Sequence, residues 1–456
     1  MREQFRNFCQ NDKSPDSLLI RWCSLHDQNQ MHCKCKNYLK LVGMISRTPL
    51  NKIKDQLKRP FYCFVVSRVR IENSRHGLTY RKSIFSFFIL LILFNGVIAC
   101  KENNKTSLVE ATTTEFAKGF SVKNLGNSKE VILHNPYPNA SSSIKYLLVP
   151  KNEKIPDHDN DLQVIRTPID KIVCTSTSHI ALLDHLNATD KLVGFPDPSL
   201  ISSTSARERI DAGLVTDLGI DKEMNLELLV SLKPDLVMGY STAGDLSKLN
   251  KIKSFGIPVV INGEYLEDHP LGRAEWIKFM ALFLGKEAMA DSVFNEIKDE
   301  YQANLELVKM ISFRPTVISG ILYGDAWFLP GGKNYAATLF RDAGYHYLWD
   351  DDPSNGFLKF SFETIYAKGK EANYWIGVGS FESLQEMRSS ESRYSLFNAF
   401  KDSNVYTYDA RKGATGGSEY LELGYSRPDI ILKDLIKIAH PDLLPSYELY
   451  FYKKLE

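Results

Sequence analysis

The sequence predicts an α/β protein of two lobes, each a mainly parallel sheet covered by helices, the two joined by one long helix. Three patterns carry that expectation. Short aliphatic runs alternate with helical segments from Ile165 onward, and a second such series begins after Pro315. Between them Ala290, Val293, Phe294, Ile297, Tyr301, Leu305 and Val308 mark one apolar stripe on a helix. Strands of four or five residues that are apolar throughout are buried on both faces, as parallel strands between helix layers must be.

Taken in chain order, residues 1–80 form an extension of mixed charge without clear periodicity. An export signal normally stands at the very N-terminus. The extension therefore reads as an overextended start, with a genuine small extension as the alternative. Residues 81–100 carry the signal itself: Arg81-Lys82, an apolar run from Ile84 to Ala99 broken by Ser86 and Asn95, and Val97-Ile98-Ala99-Cys100. The run is shorter than the roughly 20 residues a spanning helix wants and ends on small residues before a cysteine. That ending resembles the lipobox of bacterial lipoproteins, in which the cysteine is acylated and becomes the first mature residue. The alternative is a signal anchor left in place. Either way, the chain beyond Cys100 is expected outside the cytoplasm, tethered to a membrane. Residues 101–130, rich in Lys, Asn, Thr, Ser and Glu, read as a flexible tether.

The first lobe is expected over 131–285. Val131-Ile132-Leu133 and Tyr146-Leu147-Leu148-Val149 pair around the turn-rich Asn135-Pro136-Tyr137-Pro138-Asn139. Strands follow at Lys171–Cys174, Leu192–Phe195, Leu236–Gly239 and Ile257–Ile261, with helices at Ile180–Leu186, Leu226–Leu232 and Leu246–Phe255. The bridging helix is predicted over 286–312, on the order of 40 Å at about 1.5 Å per residue. A lone helix between lobes resists large hinge motion. The second lobe, 313–456, has strands at Thr316–Ile321, Tyr374–Gly377 and Val405–Tyr408. Its helices are expected at Tyr335–Ala343, Phe362–Lys370 and Asp429–Ile438.

Composition narrows the function classes. A formal net charge of +1 argues against a nucleic-acid partner, which would show as a basic surplus. Hydrophobic content of 43% with 24% charged residues describes an ordinary globular protein with a real core. Of seven cysteines, five precede the signal, Cys100 would carry lipid, and Cys174 alone remains. The mature chain then has no intrachain disulfide, although its compartment permits one. His32-Cys33-Lys34-Cys35 lacks the second paired cluster of a zinc site.

Both lobes repeat one local device. Asn225-Leu226-Glu227 opens a helix leading to the strand that ends at Gly239, and Ser361-Phe362-Glu363 opens one leading to the strand that ends at Gly377. In each, a capping side chain precedes a carboxylate in the first turn, which is sufficient as a helix-stabilising arrangement.

The whole mature chain resembles the substrate-binding proteins of ABC importers for iron-siderophores and cobalamin, whose lobes are bridged by one helix. The residues carrying the likeness are Lys171-Ile172-Val173 before Thr175-Ser176-Thr177-Ser178, and Asn225-Leu226-Glu227 before Leu232-Lys233-Pro234-Asp235-Leu236-Val237. Gly256-Ile257-Pro258-Val259-Val260 and Pro270-Leu271-Gly272-Arg273-Ala274-Glu275-Trp276-Ile277 follow. The second lobe adds Pro330-Gly331-Gly332-Lys333, Phe360-Ser361-Phe362-Glu363 and Ser426-Arg427-Pro428-Asp429. The resemblance implies that Glu227 and Glu363, one per lobe, dock into arginines of the two permease subunits, fixing register more than affinity. It implies as partners an iron-siderophore or corrinoid ligand and an ABC permease dimer with its ATPase. The expected protein is a monomer on a lipid anchor, without cofactor, metal site or catalytic residue.

A ligand cleft is expected between the lobes at the carboxyl ends of the strands. That places Ser176, Ser178, Phe195, Tyr240, Tyr323, Trp327, Tyr420 and Arg427 around it. Tyr240, Trp327 and Tyr420 could wall a large conjugated ligand, and Arg427 could meet an anionic chelate; core packing and a structural ion pair are the competing readings. Haem is a further alternative on the same scaffold. A zinc or manganese receptor would need three or four converging ligands, whereas His179, His269 and His346 are scattered and Asp350-Asp351-Asp352-Pro353 reads as a solvated turn. An enzyme is disfavoured: Gly331-Gly332-Lys333-Asn334 lacks P-loop spacing, and no nucleophile elbow or His-Glu-x-x-His pair is visible.

Overall fold

A computed structural model describes residues 111–112 and 114–456. The expected extension, signal segment and Cys100 lie outside the described residues. Folded chain begins well before residue 131, so residues 120–130 are not the flexible tether expected there. Strands β1 (Ala111–Thr112), β2 (Phe120–Leu125), β3 (Ser128–Leu133), β4 (Ile144–Pro150) and β5 (Gln163–Thr167) form a sheet in that order, antiparallel except for β4 with β5. The composition of 101–130 hides the alternation of Phe120 and Val122 among polar neighbours.

Two buried carboxylates fix the entry to this sheet. Glu275 accepts hydrogen bonds from the backbone N–H groups of Glu115, Phe116 and Ala117 at 2.9, 2.7 and 2.9 Å. Glu267 accepts from Lys118 and Gly119 at 2.9 and 2.8 Å, and from the Trp276 indole at 3.0 Å. Five consecutive amides with no strand partner are thereby satisfied, as burial demands.

The next sheet runs β10 (Val259–Ile261), β9 (Leu236–Gly239), β6 (Ile172–Cys174), β7 (Leu192–Phe195), β8 (Thr216–Asp217), all parallel. Asp235 explains part of its register: its carboxylate accepts from the amides of Asp170 and Lys171, tying the start of β9 to that of β6. Helices α1 (Thr177–His185), α2 (Thr204–Asp211), α3 (Leu226–Ser231) and α4 (Ser247–Ser254) connect these strands. The aliphatic side chains of β6 and β9 are fully buried, as their runs predict.

Helix α5 (Pro270–Leu284) has almost no exposed face, and it stops where Gly285 turns left-handed at φ 66°. Then comes the bridge, α6 (Glu287–Leu307), packed on α5 and on a late helix of the second lobe. Its buried face is Ala290, Phe294, Ile297, Tyr301 and Asn304; of the expected stripe, Val293 and Leu305 are only partly buried and Val308 lies at the helix end. Its 21 residues make it about 31 Å long, shorter than expected, because the chain leaves helical geometry at Val308 and turns toward the next strand.

The second lobe's main sheet is β14 (His346–Tyr347), β11 (Thr316–Ser319), β16 (Tyr374–Ile376), β17 (Val405–Thr407) and β18 (Lys453–Lys454), parallel apart from β18. A smaller antiparallel sheet of β12 (Ile321–Tyr323), β13 (Ala326–Pro330) and β15 (Phe357–Phe360) sits beside it. Helices α7 (Tyr335–Asp342), α8 (Phe362–Gly369), α9 (Leu384–Ser390), α10 (Glu419–Glu422) and α11 (Pro428–Ala439) complete the lobe. The Tyr301 hydroxyl on the bridge bonds the Asp342 carboxylate, and Asn304 Nδ2 donates to the Asp429 carbonyl at 3.0 Å. The bridge is therefore pinned to α7 and α11. No helix among the described residues is long and apolar enough to cross a membrane.

Candidate functional site

In the first lobe the chain goes from β6 outward to β7 and β8, then crosses back to β9 and β10. The reversal lies between β6 and β9, and open α/β sheets hold ligands at the carboxyl ends of such a pair. Here those ends deliver Ser176, Ser178 and Tyr240. Ser178 donates to Glu264 Oε1 at 2.6 Å and so receives the hydrogen bond that links it to Ser176 at 2.9 Å. Burial raises the Glu264 carboxyl above the usual range, against the pull of Ser178, and its second oxygen has no hydrogen-bond partner among the described residues. Burial likewise holds the His179 imidazole down to about 3, leaving it neutral, edge-on to Tyr240 at 6.5 Å between ring centroids. The Tyr240 and Tyr265 phenols are pushed up by the same loss of water. The set is proton-holding and aromatic, suited to gripping a ligand by shape and hydrogen bonds.

The second lobe closes on this floor. Arg273, on α5, lays its guanidinium over the Tyr335 ring at 4.0 Å and the Tyr425 ring at 5.0 Å. Its position is set by donation to the carbonyls of Tyr265 at 2.8 Å and Glu267 at 3.3 Å. The buried Tyr335 hydroxyl has no hydrogen-bond partner among the described residues. A cation held between rings from the facing lobe resists sliding as well as separation.

Both candidate docking carboxylates are exposed, on different lobes. Glu227 lies in the first turn of α3, whose cap is the Asn225 side chain accepting from the Leu228 amide at 3.0 Å. Glu363 lies in the first turn of α8, capped by Ser361. Its carboxyl sits below the ordinary range, chiefly through its own backbone N–H and then Ser361, and Arg393 stands 3.3 Å away.

The family model described as periplasmic binding protein matches residues 172–412, more than half of the chain. The chain belongs to that family. An uncharacterized lipoprotein of Methanocaldococcus jannaschii is 27% identical over 400 residues, spanning 80% of this chain and 98% of its own length. Another uncharacterized lipoprotein of that organism is 25% identical over 325 residues, spanning 68% of this chain and 76% of its own. A solved periplasmic binding protein from Veillonella parvula aligns with a TM-score of 0.51 at 15% identity, covering 69% of this chain and 99% of its own; that likeness concerns the fold.

Several side chains expected to line the cleft of this periplasmic binding protein do not. Trp327 is fully buried in β13, stacked on Trp375 at 5.1 Å, with its indole N–H on the Ser319 carbonyl at 3.0 Å. Phe195, at the end of β7, is also core. Arg427 is spent on a forked ion pair with Asp429, at 2.9 and 2.6 Å, within its own lobe. Tyr420 is buried among Tyr408, Tyr425, Phe451 and Tyr452, stacked on Tyr408 at 4.7 Å. Tyr323, half-buried in β12, stands at the carboxyl side of β11.

Other groups were missed. Glu264, Arg273, Tyr335 and Tyr425 come together only through the lobe pairing, and the one sequence hint was Arg273 inside a family-like motif. His269 caps α5, accepting from the Leu271 amide at 3.1 Å, and His346 sits exposed on β14. Asp352 folds onto Ser354 as a local turn, as expected for the acidic run. Among the described residues no three His, Cys, Asp or Glu side chains gather as metal ligands.

Proposed function

We propose that this periplasmic binding protein is the extracytoplasmic receptor of an ABC importer, capturing a large iron chelate of the siderophore type and handing it to the permease unchanged. The observation that carries the reading is the pair Glu227 and Glu363: exposed first-turn carboxylates on corresponding helices, one per lobe. Two anionic points on separate rigid halves suit a permease with two related basic pockets. Rigidity supports the same reading, since one pinned helix joins the halves. Facing aromatic rings, Tyr240 and Tyr265 below with Tyr335 and Tyr425 above, favour a broad, flat ligand over a bare ion. The lipoprotein relatives support acylation at Cys100, with 81–100 as the export signal.

Uptake of a ferric siderophore into cells carrying the importer tests this. Glu227→Ala with Glu363→Ala should stop transport while the purified protein binds as before. Lost binding together with lost transport would place the two carboxylates in the ligand site and overturn the docking role.

A further inference from the structure

The loops that follow the carboxyl ends of β7 and β17 meet across the mouth of the cleft, and one side chain dominates the meeting. Glu422, on the short α10 of the second lobe, is 2% exposed and forms no ion pair among the described residues. Its two oxygens instead accept from two consecutive backbone N–H groups of the first lobe: Ser202 to Oε2 at 2.7 Å and Ser203 to Oε1 at 2.8 Å. Around it the backbones run almost in contact. A Cβ at Gly417 would lie 2.2 Å from the Leu200 carbonyl oxygen, and one at Gly413 would lie 2.6 Å from Ser202 Cα. Thr415 Oγ1 donates to the Ser199 carbonyl at 2.7 Å, and His185 Nε2 meets Ser426 Oγ at 3.0 Å.

We propose that Glu422 is the clasp of this cleft: a positioning residue whose grip on Ser202 and Ser203 holds the lobes closed and must be broken before ligand enters or leaves. Hydrogen bonds from two consecutive amides to one carboxyl group are directional, and both are lost at once when the lobes part. A bridge helix that stays rigid leaves small rim movements such as this one to gate access. The idea rests on the receptor reading only for its consequence, slower ligand escape. The clasp itself is read without ligand, so its failure would leave capture and delivery standing.

The surroundings give the clasp a pH sense. Burial pushes the Glu422 carboxyl up to about 7, against the pull of the two amides, and Asp184 on α1 adds to the rise. Asp184 is itself bonded by Ser203 and Ser205, and His185 beside it is held neutral, near 4, mainly by burial and then by Arg427. From the other elements, Arg207 of α2 is turned to Asp211 and the Pro198 carbonyl, Arg427 to Asp429, and Glu419 receives the Tyr450 hydroxyl. A carboxyl whose pKa is higher closed than open takes up a proton on closing. Closure is therefore strongest below the open-state pKa near 4.5 and weakens as pH rises through about 7.

Amide hydrogen exchange on the full chain, corrected for intrinsic rates, tests the clasp. Glu422→Ala should speed exchange at Ser202 and Ser203 by about tenfold, from two lost hydrogen bonds, and loosen 413–417, while β6 and β9 keep their protection. Gly417→Val should loosen the same amides by wedging the backbones apart with the carboxylate intact. Wild-type protection there should be greater at pH 5 than at pH 8; Glu422→Gln, which keeps one acceptor and cannot titrate, should be flat. Unchanged exchange in Glu422→Ala, a pH-flat wild type, or protection lost equally from β6 and β9 would each overturn the proposal.

Discussion

Replacing Glu275 by Ala should release the segment that leads into the first sheet. The carboxylate is fully buried and serves the amides of Glu115, Phe116 and Ala117, with Lys278 Nζ at 3.2 Å. Hydrogen bonds to a charged group contribute roughly 1.5–3 kcal/mol each, which sets a ceiling of about 4.5–9 kcal/mol for three. The realised loss is smaller, since Glu115 and Phe116 are not fully buried and regain water once freed. About 3–5 kcal/mol is expected, the range for removing one partner of a buried charged contact. Phe116, packed on the Phe294 ring of the bridge at 6.2 Å, should come away too, as should the Glu115–Lys298 ion pair. Urea denaturation gives the free energy, and hydrogen exchange locates it: amides 115–117 should lose protection while β9 does not. Full protection at 115–117 in the variant, or a loss below about 1 kcal/mol, would refute the account of how the entry segment is held.

Four further outcomes are expected. Cys100→Ala should release the protein from membranes or leave it unprocessed; unchanged lipid labelling at that position would exclude acylation there. Trp327→Phe should destabilise the second lobe by about 1–3 kcal/mol, through a cavity and the lost bond to Ser319, while leaving most ligand-induced fluorescence quenching in place. Loss of most of that quenching would return Trp327 to the cleft. Arg273→Ala should weaken both lobe pairing and ligand binding, since it removes the cation between Tyr335 and Tyr425; unaltered binding would count against the cleft as drawn. Glu382, held down to about 2 by Lys412 and Lys453, contributes stability that is present above its ordinary pKa of 4.5 and is lost as pH falls toward 2. Thermal melts of Glu382→Gln should thus show a smaller deficit at pH 3 than at pH 6, and equal deficits would contradict this.

The parts of the fold legible in the sequence were those with a period. The bridge announced itself because Ala290, Phe294, Ile297 and Tyr301 must all face the core. The strands at 172–174, 236–239 and 374–376 stood out because strands buried on both faces are apolar at every position. Helix α5 was not read as a helix, since burial all round erases its stripe. The small sheet of β12, β13 and β15 was missed because its short strands alternate only weakly. Glu227 and Glu363 were legible as first-turn carboxylates through the caps that precede them and their repetition. The cleft lining was not: an aromatic at the end of a strand looks the same whether it faces a ligand or, like Trp327, another tryptophan. Glu264, Arg273 and Glu422 acquire meaning only from partners 86 to 220 residues away, or on the facing lobe.

Equilibrium binding on the full chain tests the central claim most directly, with a ferric catecholate siderophore, haemin and cyanocobalamin offered in turn. One of them, the siderophore first, should saturate at one per chain, raise the melting temperature with the logarithm of its concentration, and be recovered chemically unaltered. Conversion of the ligand to a product, or no saturable binding of any large chelate, would contradict the receptor account.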